Sequence, residues 1–356
     1  MLMNKKLVGL ICMVMMIALV LTACGGNNEA NNNEAKNNAA VVEKTPDAPA
    51  PATEGPNYNF RLAETHPADY PTTKGDMKFA ELVKEKSDGR ITIDVFPSAQ
   101  LGEEKAAIEQ VQLGAIEFTR ISSGPLGEFN KDFGVFSLPY IFDNDEHVWN
   151  FLLGDAGMKL LDSLDNSRLK GLAYYTSGSR SFYSTKPLTS LADLKGLKIR
   201  VQENQLNLSI IKALGASATP MPYGDVYSAL QTGVIDAAEN NYPSYFSSKH
   251  YEVAGHYILD GHQRVPEVLM MSKTAWDKLS PEDQAIIKEA ALESVAFQRE
   301  EWAKYEKVSE EGVRAAGATI TEVTDVTPWQ EAVKPVIDEN REQFKAVLDA
   351  IDAARK

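Results

Sequence analysis

The chain has 356 residues, 44% of them hydrophobic and 8% aromatic, enough apolar surface for a large core and for more than one domain. That excludes a disordered or fibrous protein. A formal net charge of -14 repels both nucleic acid and anionic lipid, so any anion site must be a local feature set against the average surface.

The opening MLMNKK followed by LVGLICMVMMIALVLTAC has a basic n-region, an apolar h-region and a small-residue cleavage site, and predicts a signal peptide over 1–23. Leu21-Thr22-Ala23-Cys24 resembles a bacterial lipobox, which implies a lipidated Cys24 and an extracytoplasmic protein anchored to the cell membrane. A plain transmembrane anchor is the alternative. Cys12 leaves with the signal peptide and Cys24 is capped, so the mature fold has no disulfide and no thiol chemistry. Residues 24–57 are Asn, Ala, Glu and Pro with almost no apolar periodicity, and predict a disordered tether spanning on the order of 30 Å.

The folded body opens with a strand over Tyr58–Ala63, and Pro67 and Pro71 mark the loop after it. A helix follows from Thr73 to Lys86, stopped by Asp88-Gly89. Next come a strand at Ile91–Phe96, a helix at Glu103–Leu113 and a strand at Ala115–Thr119. FGVFSLPYIF, residues 133–142, reads as core, and 143–153 and 156–165 as surface helices.

The second half repeats the grammar, with a strand at Leu197–Val201, helices at Leu206–Leu214 and Asp225–Gln231, and a strand at Val234–Ala237. VQLGAIE at 111–117 echoes LQTGVID at 230–236, each Gly standing where a helix C-cap needs a left-handed residue. Two similar units predict two similar α/β lobes. A strand at Glu267–Ser272 then precedes a helix capped by Ser280-Pro281-Glu282-Asp283 and uninterrupted until Gly312. About thirty residues give roughly 45 Å, long enough to span both lobes.

Arg200 stands at the end of Leu197–Val201, where a covered strand would not ordinarily hold a charge. It must either pair with a carboxylate between the domains or reach the crevice at the carboxyl ends of the strands, where ligands bind in open α/β sheets. In the crevice its planar fork fits a carboxylate, which points to a small organic anion. Enzyme signatures are missing: there is no phosphate loop, dinucleotide GxGxxG, paired cysteines or nucleophile elbow. His250, His256 and His262 recur every six residues, a spacing that does not put them on one helical face for a metal. No cofactor and no metal are expected.

From Tyr58 to about Arg314 the chain resembles the DctP-type extracytoplasmic solute-binding proteins of tripartite ATP-independent periplasmic (TRAP) transporters. The matching segments are FPSAQLGEEKAAIEQVQLGAIEFT, FSLPYIF, GSRSFYSTKPLTSLADLKGLKIRV, ALGASATPMPYGDVYSALQTGVIDAAEN and KHYEVAGHYILDGH. The resemblance implies a two-lobe periplasmic-binding-protein-like fold with a cleft between the lobes and a long helix across both. Lobe I would be 58–177 plus 266–305, and lobe II 178–265 plus 306–356. The family's carboxylate clamp falls on Arg200, a second family Arg on Arg180, a carboxylate-contacting Asn on Asn240 and an aromatic on Tyr223. Further contacts fall near Thr65 and His66, Glu104 and Ser122, and Asn204 follows the clamp. Where sialate-binding members carry two charged residues, this chain reads Ile121-Ser122-Ser123-Gly124-Pro125, which argues against sialate.

The leading expectation is a monomeric receptor, not an enzyme, that closes on an organic acid and delivers it to TRAP permease membrane subunits. A lipoprotein enzyme using Glu104 or His66 as a base and a sensor subunit presenting ligand to a kinase are the other readings. A hexuronate, glucuronate or galacturonate, is expected over a C4-dicarboxylate. Gln202, Glu203, Asn204, Asn240 and Asn241 offer partners for hydroxyls, and Glu104 would repel a second acid group.

Overall fold

The computed structural model describes residues 55–355, so the signal peptide, lipidated Cys24 and most of the tether expected from the sequence lie outside the described residues. In chain order the first half comprises β1 (Tyr58–Ala63), α1 (Pro71–Lys86), β2 (Ile91–Phe96), α2 (Glu104–Leu113), β3 (Phe118–Ser122), α3 (Ser123–Leu126), α4 (Asp145–Leu152), α5 (Asp155–Asp162) and β4 (Leu169–Tyr175). The middle holds β5 (Arg180–Ser184), β6 (Lys198–Val201), α6 (Gln205–Ala213), β7 (Ser217–Pro220), α7 (Val226–Gln231), β8 (Ala237–Asn240), α8 (Tyr242–Ser247) and β9 (His256–Gln263). The last part is β10 (Glu267–Ser272), α9 (Lys273–Trp276), α10 (Pro281–Ala315), β11 (Thr319–Glu322), α11 (Thr327–Asn340) and α12 (Lys345–Ala353).

Two mixed sheets result, ordered β2-β1-β3-β10-β4 and β11-β9-β5-β8-β6-β7. The first lies in one continuous apolar core that takes in Phe79, Phe118, Phe133, Phe136, Leu172 and Met270. The second has a core on each face, because neighbouring strand residues point to opposite sides. Phe182, Ala237 and Ile258 face Trp329 and Val333, while Tyr183, Ala238 and Tyr257 face Tyr245 and Val313.

Within each sheet the echo holds. Gly114 and Gly233 both take the left-handed conformation, with φ of 72° and 74°. The strands after them begin later than the sequence suggests, at Phe118 and Ala237. The backbone explains the delay. Ala115 N bonds Gln110 O and Ile235 N bonds Ala229 O, so the helix cap still holds these residues and pairing starts only beyond them.

The lobes connect through the β4–β5 and β9–β10 crossings and through α10, which packs on α1 in the first lobe and on α8 in the second. Fully buried Gln298 of α10 clamps one crossing, its amide bonding both Thr176 N and Thr176 O at 3.0 Å. Helix α10 runs 35 residues and passes through Gly312, where an added Cβ would lie 2.4 Å from the Phe246 ring. A glycine inside the helix therefore serves packing rather than termination.

One boundary differs from expectation. The sequence places residues 306–356 in lobe II, but α12 returns to the first core, where Phe344, Leu348 and Ile351 are buried and His147 Nε2 lies 2.7 Å from Ile351 O. Its apolar face fits the surface left open by α4, whereas α11 fills the second lobe beside α6.

Candidate functional site

Parallel pairs in both sheets aim their carboxyl ends at the same crevice, the place where loops leave polar groups free to meet a ligand. Strand β1 delivers His66, β3 delivers Ser122, β6 delivers Arg200 and Gln202, and β8 delivers Asn240. These close around a cavity of about 330 Å³, counting its mouth, completed by Glu104, Arg180, Tyr223, Asn241, Ser244 and Glu267. Larger concavities lie at the lobe rim beside Lys105 and Phe129, about 600 Å³, and between α1 and β2, about 1390 Å³. Neither of them contains a buried cation.

Arg200 is 3% exposed, and its Nε and Nη2 both donate to Met221 O, at 3.0 and 2.8 Å. Among the described residues no carboxylate pairs with it, so the inter-domain salt bridge is absent. Burial pulls its guanidinium below the ordinary arginine range, and Glu239 only partly offsets this. A desolvated cation without a counter-charge, facing a cavity, is what an anion would complete.

Arg180 differs. Its Nε and Nη2 grip the Glu239 carboxylate, Nη2 also donates to Glu239 O at 2.9 Å, and Nη1 donates to Asn240 Oδ1 at 2.9 Å. Burial opposes its charge, but Glu239 overcomes that and holds the guanidinium above its usual range. Asn240 Oδ1 also accepts from Asn241 N, which leaves the Asn240 amide N–H groups to act as donors.

The opposite wall is acidic. Arg120, fully buried on β3, donates to Glu64, to Glu267 Oε2 at 2.6 Å and to Glu104 Oε1 at 3.2 Å. Burial pushes the Glu267 carboxyl up to about 7, against the pull of Arg120. Glu64 is held well below the usual range because Arg120 overcomes its burial. Burial, with Arg120 beside it, also lowers His66 and keeps it neutral. The cavity therefore has a cationic pole in the second lobe and an acidic pole in the first.

Of the residues singled out from sequence, Arg200, Arg180, Asn240, Tyr223, Glu104, His66 and Ser122 line this cavity. Two do not. Thr65 is buried beside His66 outside the lining. Asn204 caps α6 through Leu206 N at 2.8 Å and donates to Gly124 O of the other lobe at 2.8 Å. Glu64, Arg120 and Glu267 were missed. Each is a charge in or at the end of a covered strand, the same signal that singled out Arg200.

The lobes meet around the cavity. Gln202 Nε2 donates to Ser122 Oγ at 2.8 Å, Tyr70 OH contacts Ser244 Oγ at 2.8 Å, and the His66 and Tyr223 rings lie 5.2 Å apart. Fold and site together define a two-lobed solute receptor with a buried cation at the cleft. The sequence places it further: residues 62–343 match the family of bacterial extracellular solute-binding proteins, family 7, and the chain belongs to that family. A solute-binding protein of Chromohalobacter salexigens is 40% identical over 300 residues, 83% of this chain and 89% of that protein. A TRAP periplasmic solute-binding protein of Bradyrhizobium sp. BTAi1, solved in complex with galacturonate, is 44% identical with a TM-score of 0.81, covering 83% of this chain and 99% of that one. A Pseudomonas putida F1 protein of the same type, with bound D-glucuronate, is 39% identical with a TM-score of 0.82, covering 84% and 98%.

Proposed function

We propose that this chain is the receptor of a TRAP transporter for a hexuronate, glucuronate or galacturonate, tethered outside the cell through a lipidated Cys24. The observation that carries the ligand assignment is the polarity of the cavity. Arg200 is the one cation lining it without a carboxylate partner among the described residues, so it takes the ligand's single carboxylate in a bidentate grip. Glu104 faces the other end and accepts from hydroxyls, while Asn240 and His66 donate to them.

A C4-dicarboxylate would need a second free cation, and Arg180 and Arg120 already hold carboxylates. Its second acid group would also meet Glu104 as a like charge. Lobe closure on the sugar acid creates the surface that the permease subunits recognise, and the receptor itself performs no chemistry on its cargo. Support for the sugar acid over other anions also comes from the uronates bound by the two similar structures.

A thermal-shift panel of D-glucuronate, D-galacturonate, succinate, malate and fumarate tests the assignment. A ligand at about 100 times its dissociation constant adds about 2.7 kcal/mol of stability. Stabilisation by a hexuronate is the expected result. Stabilisation by the C4 acids with none from either hexuronate overturns it.

A further inference from the structure

Arg120 has no face on the cavity, yet its five N–H groups meet five acceptors that together build the first-lobe wall. Nε donates to Glu64 Oε2 at 2.7 Å and Nη2 to Glu64 Oε1. Nη2 also lies 2.7 Å from His66 Nδ1. Nη1 is shared between Glu267 Oε2 at 2.6 Å and Glu104 Oε1 at 3.2 Å. Three of these partners, His66, Glu104 and Glu267, line the cavity.

The chemistry of the contacts is directional. A guanidinium can only donate, so His66 Nδ1 must present its lone pair to Arg120 and carry no proton. Glu64 Oε1, 3.1 Å from the same nitrogen, takes its hydrogen bond from the His66 backbone N–H at 2.6 Å instead. The ring proton therefore sits on Nε2, for which the described residues supply no acceptor. The ring is fixed face to face on Tyr70, centroids 4.0 Å apart. On the carboxylates the same logic runs the other way. Glu104 Oε1 is occupied by Arg120 and by Ser122 N at 2.9 Å, so Glu104 Oε2 is the oxygen left to accept, while Glu267 is held through Oε2 by Arg120.

We propose that Arg120 is a positioning residue that sets the hydrogen-bond polarity of the first-lobe wall, holding His66 as an Nε2–H donor and Glu104 as an acceptor for the hydroxyls of the bound sugar acid. The ligand part rests on the hexuronate reading above; the tautomer does not. A residue that merely neutralised the acids could be any cation, whereas this role needs the planar fork.

Long-range 1H–15N correlation spectra of the wild-type chain without ligand, with the His66 signal identified through His66→Gln, read the tautomer. A protonated Nε2 and bare Nδ1 are expected, and a protonated Nδ1 overturns the proposal. Arg120→Lys keeps the charge and loses the fork, so it should fold, weaken D-glucuronate binding about tenfold or more, and change the His66 signal. Arg120→Lys that keeps the tautomer and binds D-glucuronate within about threefold of wild type also overturns it. If wild type does not bind D-glucuronate, the ligand assignment falls and the tautomer result alone decides the role of Arg120.

Discussion

Replacing each of the two cleft arginines by methionine should move stability in opposite directions, because one is paired and the other is not. Arg200→Met removes a buried cation whose desolvation costs several kcal/mol and which no paired carboxylate offsets, Glu239 doing so only in part. Against that gain, Met221 O loses two N–H donors, a penalty of about 1–3 kcal/mol for an orphaned carbonyl. The ligand-free variant should therefore melt at or above the wild-type temperature. Binding should still collapse, since truncating one partner of a buried charge pair costs about 2–5 kcal/mol, on the order of 30-fold to several thousand-fold in affinity.

Arg180→Met leaves Glu239, 2% exposed, without the guanidinium that is hydrogen-bonded to it, which costs about 3–5 kcal/mol. That lowers the melting temperature by roughly 10 °C. Scanning calorimetry without ligand and titration calorimetry with D-glucuronate measure both quantities. The reasoning is refuted if Arg200→Met destabilises the free protein as much as Arg180→Met does, or if it binds glucuronate within about threefold of wild type.

Two further outcomes follow from the geometry. An added Cβ at Gly124 would lie 2.3 Å from Gln202 Oε1 of the opposite lobe, and the glycine has no left-handed backbone, so Gly124→Ala should fold normally but hold the cleft ajar. Affinity should fall about tenfold, and small-angle scattering with saturating ligand should give a larger radius of gyration than wild type; equal values would remove Gly124 from the closing contact. Glu267 is raised to about 7 by burial from an ordinary value of 4.5, so between those pH values the folded chain keeps a proton that the unfolded chain has released. Its contribution is complete below pH 4.5 and is lost as pH rises to 7, so melting temperature should drop across that window and drop less in Glu267→Gln. An identical slope in the two proteins would contradict the assignment.

Local patterns already carried much of the molecule. Ser280-Pro281-Glu282-Asp283 is a helix start wherever it occurs, and the cap forms with Asp283 N on Ser280 Oγ at 3.1 Å. Gly114 and Gly233 likewise fix their helix ends by backbone conformation alone. Arg200 could be singled out because a charge in a covered strand contradicts its neighbourhood, and that contradiction needs no long-range knowledge. The strands β4 and β5 escaped notice because they are buried on both faces and show no alternation to read.

What only the tertiary structure decided is which charges are free. Arg120 was hidden by a register difference of three residues, since a strand ending at Thr119 leaves the next residue in a loop, whereas pairing of β3 from Phe118 to Ser122 buries it in the sheet. Its partners Glu64, Glu104 and Glu267 stand 56, 16 and 147 residues away in the chain. Arg180 and Arg200 look alike in sequence, but strand pairing sets Ser181 opposite Asn240 and so brings Glu239 to Arg180, while β6 runs between β7 and β8 and brings Arg200 only a carbonyl. Composition and periodicity determine that buried charges exist; the pairing of distant strands determines which of them is left for a ligand.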